Sequence, residues 1–207
     1  MLMPSVRLAD AAISAILQAA LLGGVPLAAY FLYHRRRHKR RFREVAERAG
    51  LRLGDPRYLA YSAVFALIGV VALVVWSPPL EPLTREGSAQ HQFVGLGFGL
   101  PAITLAFLNG VVQTAFAEEL LFRGLIAGSL SRRLALVPAN LTQALIFFLP
   151  HLAILLFAPE LWGILPLVFL GALVFGWVRI RSGSILGPWL MHASGNVTMA
   201  LMVAART

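Results

Sequence analysis

Runs of about twenty apolar residues recur along this chain, and they constrain it more than any other feature. A hydrocarbon core roughly 30 Å thick is crossed by about 20 residues of α-helix. Inside lipid only helices and closed barrels satisfy every backbone group. Residues 11–33, 58–76, 138–157, 161–178 and 185–205 all approach that length with no Asp, Glu, Lys or Arg among them. The composition agrees: 58% of the 207 residues are hydrophobic and 13% charged, where soluble domains carry roughly 45–50% and about 25%. A water-soluble enzyme of ordinary surface, a disordered tail and a coiled coil are excluded. The expected fold class is all-α, a polytopic membrane protein of about six transmembrane helices forming one transmembrane domain over 1–207.

The stretch 93–130 is harder to divide. As one helix of roughly 38 residues it would be about 57 Å long, with plausible breaks at Pro101 or Asn109-Gly110. It is either one long tilted helix or a full span joined to a re-entrant piece. Arg7 precedes an apolar run too long for a secretory h-region, so the first span reads as a permanent anchor.

Charge fixes the expected orientation. The net charge is +9, and ten of the 18 Lys and Arg lie between Arg35 and Arg57. The positive-inside rule places this basic loop, 34–57, in the cytoplasm of a multi-pass cell-membrane protein. Arg132-Arg133 and Arg179/Arg181 mark two further cytoplasmic turns, while 77–91, with Glu81, Arg85 and Glu86, faces out. These assignments agree if 93–130 crosses an odd number of times, which leaves both termini outside. Anionic lipids are the expected partners of the basic loop, each Lys or Arg adding about 1 kcal/mol. Nucleic acid is not expected, because no aromatic stacking platform accompanies the charge.

Three charged residues do fall inside spans: Glu118, Glu119 and Arg123. His151 and His192 lie at membrane depth too. Each such charge costs roughly 2.5–3.5 kcal/mol on insertion scales and marks a functional interior. Glu119 and Arg123, four apart, share a helix face and can neutralise each other. Glu118 points about 100° away and needs a partner from another helix. His151, beside Pro150 and one turn from Phe147, and His192, one turn from Asn196, lie at similar depths on two other spans.

A carboxylate in such a site can act as general base on water, with a histidine orienting the attacked water. A second histidine and an asparagine on one face suit an oxyanion hole. Water attack on an amide follows naturally. Glu118, His151 and His192 could instead hold zinc with an open position. Cysteine is absent, which excludes thiolate catalysis and Cys-ligated metals. Ser194 lacks any serine-protease motif. Ser194, Gly195 and the glycines of 171–176 read as small residues for close helix packing.

Glu118-Glu119-x-x-x-Arg123, Phe147-x-x-x-His151 and His192-x-x-x-Asn196, in that order and each within an apolar span, resemble the three motifs of the CAAX prenyl protease and bacteriocin-processing family of intramembrane proteases. The resemblance covers 93–205, the expected catalytic core. It implies an all-helical endopeptidase in which Glu118 activates water with His151 as its partner. Glu119 and Arg123 would form the supporting ion pair, and His192 and Asn196 would stabilise the oxyanion. It further implies that the substrate is a membrane protein or peptide: a C-terminal tail, a leader peptide or a lipidated protein. The family has been described both as metalloproteases and as glutamate-dependent proteases. No cofactor is favoured here, since Glu, His, His and Asn already supply a base and an oxyanion hole. A proton-coupled transporter, with the same groups as a relay, and a non-catalytic membrane scaffold are the competing readings.

Overall fold

The structure, a computed structural model, describes residues 4–207, with side chains from Leu8 onward. Its backbone among these residues is helical, without strands. We label the helices α1 (Leu8–His38, whose first turns begin at Pro4), α2 (Phe42–Arg48), α3 (Pro56–Trp76), α4 (Leu100–Leu130), α5 (Leu136–Phe157), α6 (Pro159–Ser182) and α7 (Leu186–Arg206). By length and apolarity α1, α3, α4, α5 and α6 can each cross a membrane. The sixth expected span, α7, matches α3 at 21 residues. Its His192, Ser194, Asn196 and Thr198 make it less apolar, and it packs along α3 and the first half of α4.

Local chemistry sets the helix ends. Asp55 caps α3 by accepting a hydrogen bond from the Arg57 backbone N–H at 3.0 Å, and Pro56 occupies the first turn. The Arg57 side chain also donates to this carboxylate and holds it below the usual Asp range. Ser77, left-handed at φ 47°, ends α3 before Pro78 and Pro79, and Lys39 at φ 55° ends α1. The stretch 93–130 differs from the expectation at its start. Gly95 and Gly97 adopt positive φ, so the helix opens only at Leu100 with Pro101 in its first turn. From there it is continuous, and neither Pro101 nor Asn109-Gly110 breaks it. Widened π-type turns instead cover Phe107–Phe116 and Glu119–Ala127, a distortion common at functional sites.

The basic turns meet at one face. The Arg48 carbonyl accepts from Arg179 Nη2 at 3.0 Å and from Arg132 Nη1 at 3.3 Å, and Arg52 Nε donates to the Gly183 carbonyl at 2.9 Å. At the other face Arg85 pairs with Glu160, Arg206 donates to Ser77, and the Gly95 N–H donates to Thr207 Oγ1. There Phe93 is fully buried among Ala102, Leu105 and Ala106 of α4 and Ala200, Val203 and Ala204 of α7. This arrangement agrees with the parity expected from charge. The segment 34–57 is only partly a loop, because His34–His38 complete α1 and α2 lies within it.

Outward-facing side chains are apolar. On α3 Val64, Phe65, Leu67, Ile68, Val71, Val74 and Val75 are exposed, and only Ser62 and Ala66 are buried. A patch of that size belongs against lipid. Small residues line the helix contacts, as lipid-embedded packing favours. A Cβ on Gly110 would lie 3.2 Å from Asn196 Cβ, and one on Gly176 would collide with Gln143 and Asn140. Gly171 and Gly195 face open space, so close packing does not explain them. A Cβ on Gly124 would meet the backbone carbonyl of Ala49 at 2.8 Å, while Gly69 on α3 has nothing within 4 Å. We expect Gly124→Ala to destabilise the protein by about 1–3 kcal/mol and Gly69→Ala to leave it unchanged or firmer, as read from thermal unfolding in detergent.

Candidate active site

Three helices deliver the polar groups. From α4, Glu119 and Arg123 project into the bundle, both fully buried at 0% exposure, with Arg123 Nη1 3.1 Å from Glu119 Oε1. The pair forms as the i, i+4 spacing predicts. It is held by charge rather than by aligned hydrogen bonds, for the Arg123 nitrogens and Glu119 Oε2 have no hydrogen-bond partner among the described residues. The guanidinium carbon lies over Phe147 of α5, 4.0 Å from the ring centroid, and 5.4 Å from that of Phe175 on α6. Two aromatic faces thus supply the rest of its cation solvation.

His192 of α7 docks on the same carboxylate, with Nδ1 2.9 Å from Glu119 Oε1. A carboxylate oxygen already facing Arg123 accepts, so Nδ1 carries the proton and Nε2 is free. The histidine expected to meet Glu118 therefore bonds first to Glu119. Helical rotation explains this: α4 turns Glu119 toward α7 and leaves Glu118 half-buried at the edge of the pair. The charged and titratable groups that act electrostatically on Glu118 are His192, His151, Glu119 and Arg123.

His151 ends the regular part of α5, where Pro150 interrupts the backbone bonding. Its Nδ1 donates to the Phe147 carbonyl at 2.8 Å, and its ring packs on Phe147 with centroids 4.5 Å apart. A donor at Nδ1 leaves the neutral ring with an acceptor at Nε2. Asn196, one turn beyond His192, donates from Nδ2 to the Gly110 carbonyl of α4 at 3.4 Å, a long contact.

Several supporting residues lie outside the three motifs. Gln143, fully buried, donates to the Ala172 carbonyl at 2.8 Å, and Asn140 donates to Leu173 at 2.9 Å, tying α5 to α6. Trp189 Nε1 donates to the Val111 carbonyl at 2.9 Å and ties α7 to α4. Phe175 sits in a generic apolar run, and nothing in its spacing marks it as a wall of the Arg123 pocket. Polar residues such as Asn140 and Gln143 at membrane depth could have been noticed by the rule that exposed Glu118.

Zinc requires three or four converging donors. Among the described residues no three His, Asp or Glu side chains stand in a metal-holding arrangement. Both histidine Nδ1 atoms are engaged, His151 with a backbone carbonyl and His192 with a carboxylate, which is also how metal-ligating histidines are oriented, and both Nε2 atoms stay unbonded.

Residues 100–198 match the family model described as Type II CAAX prenyl endopeptidase Rce1-like. Neither a curated protein nor a solved structure matches the chain. The matched segment contains Glu118, Glu119, Arg123, His151, His192 and Asn196. With α4 to α7 carrying the three motifs, residues 100–198 are similar to the CAAX prenyl protease and bacteriocin-processing family.

Proposed function

We propose that this membrane protein is an endopeptidase that hydrolyses a peptide bond of a membrane-associated or lipid-anchored protein, with Glu118 as the general base. The observation that carries this reading is the division of labour between adjacent carboxylates. Glu119 is spent on Arg123 and His192, whereas Glu118 forms no ion pair or hydrogen bond among the described residues and lies within electrostatic reach of two histidines.

Water held between Glu118 and His151 Nε2 loses a proton to the Glu118 carboxylate as its oxygen attacks the scissile carbonyl carbon. The carbonyl π pair moves onto oxygen. That oxyanion accepts hydrogen bonds from His192 Nε2–H, the second proton of an imidazolium backed by Glu119, and from Asn196 Nδ2–H. Collapse expels the amine, which takes its proton from Glu118. No step uses a metal. The 34–57 face lies in the cytoplasm in this reading, with its cations against the headgroup layer.

The test offers total membrane proteins from a deletion strain to purified wild type and Glu118→Gln, with and without a zinc chelator, and reads new termini by mass spectrometry. Termini produced by wild type alone, in both chelator conditions, are expected. Identical termini from wild type and a well-folded Glu118→Gln would overturn the assignment, and loss with chelator would overturn the metal-free mechanism.

A further inference from the structure

The basic face holds a cluster of cations with no counter-charge. Arg179 is 5% exposed, and a Cβ on Gly50 or on Gly128 would meet its guanidinium at 2.7 or 2.9 Å. Arg132 shares the Arg48 carbonyl with it, as described above, and donates to the Tyr30 hydroxyl at 2.6 Å. Arg40, Arg48 and Arg132 all act electrostatically on His34, itself buried. The Nε atoms of Arg40, Arg48 and Arg179 and Nδ1 of His34 are buried without a hydrogen-bond partner among the described residues. The acidic residues of this face do not compensate. Glu47 pairs with Arg43 and Asp55 with Arg57, and Glu44 forms no ion pair among the described residues.

Beside this cluster a cavity of about 560 Å³ opens where α1 gives way to α2. Five of its lining residues, from Arg35 to Arg41, are cationic, and the rings of Phe31 and Phe42, 5.2 Å apart, close one side. Arg40 belongs to both, lining the cavity while its Nε lies buried and unpaired. Five like charges gather here, the partly buried Arg40 among them, where an anion would complete the arrangement. Guanidinium forks match the several oxygens of a phosphate.

We propose that this cavity is a discrete binding site for one phosphate group, held by Arg40 with Arg36 and Lys39. The phosphate belongs either to an anionic phospholipid headgroup or to a soluble ester. The site stands apart from the peptidase reading and differs from the diffuse attraction of a basic loop in being saturable. Phe42, which lines it, and Leu32 and Tyr33 on the preceding turn are exposed apolar side chains.

The full chain in nanodiscs tests this in two arms at constant ionic strength. One raises the fraction of phosphatidic acid in phosphatidylcholine, and the other adds inorganic phosphate to phosphatidylcholine discs. Thermal unfolding and native mass spectrometry are read in both. The expected result is a saturable rise in midpoint with one ligand per chain. Saturation in the first arm assigns a headgroup and in the second a soluble phosphate. Arg40→Gln and Arg36→Gln should each weaken binding about tenfold. Arg43→Gln, which removes an equal charge outside the cavity, should not. No saturation in either arm, or equal weakening by Arg43→Gln, overturns the site. Arg36 is exposed, so its variant decides the question should Arg40→Gln fail to fold.

Discussion

Glu118→Gln should lower kcat/KM for cleavage by about 10²–10⁴-fold, the range of a positioned general base, and leave thermal unfolding nearly unchanged. The amide keeps the shape of the side chain and removes its ability to take a proton. Stability should survive because Glu118 is no part of the buried Glu119–Arg123 pair. The measurement is cleavage of a peptide spanning a terminus found in the proteomic comparison, beside an unfolding curve of the same preparation. Full activity in the variant would remove Glu118 from the reaction.

The largest loss of stability is expected at the neighbouring residue. Glu119→Ala leaves the Arg123 guanidinium at 0% exposure without its ion-pair partner, with only the more distant Glu118 acting on it. Breaking a buried pair from one side costs about 3–5 kcal/mol. A buried pair replaced as a whole by apolar groups of similar size is often neutral or stabilising. The double variant Glu119→Leu/Arg123→Met should therefore unfold at a higher temperature than Glu119→Ala. It should still cleave poorly, because His192 Nδ1 loses the oxygen that sets its ring 2.9 Å away. Activity restored along with stability would show that the pair serves folding alone.

Much of this was readable before any coordinates. Apolar runs fixed the spans to within a few residues, since lipid leaves the backbone no alternative to helix. The Glu119–Arg123 contact follows from helical spacing, which tertiary structure does not alter. The partner of His192 could not be read the same way. Whether it meets Glu118 or Glu119 depends on the rotation of α4 against α7, set by contacts such as Gly110 with Asn196 and Trp189 with Val111. The sequence leaves 93–130 undivided because Phe93 is apolar for another reason: it is a plug buried at the outer face, ahead of the helix that opens at Leu100. The joining of the basic turns was legible as a shared side only. Its means, arginines donating to the carbonyls of distant turns, leaves no mark in sequence.

The length of α4 bears on where the protein can work. Its 31 residues amount to about 46 Å of helix, whereas the 21 residues of α3 amount to about 32 Å, close to an ordinary hydrocarbon core. One membrane cannot match both helices upright. The long one meets α7 mainly with its first half, α5 and α6 with its second, and α1 along both, and we take it to act as an inclined strut. Every change in bilayer thickness then changes the strut's inclination, and Glu119, Arg123 and Glu118 ride on it. Short-chain lipids should let that strut lie flatter and long-chain lipids should draw it upright. Turnover should accordingly vary with acyl-chain length in reconstituted vesicles, even for a substrate whose cleavage site never changes.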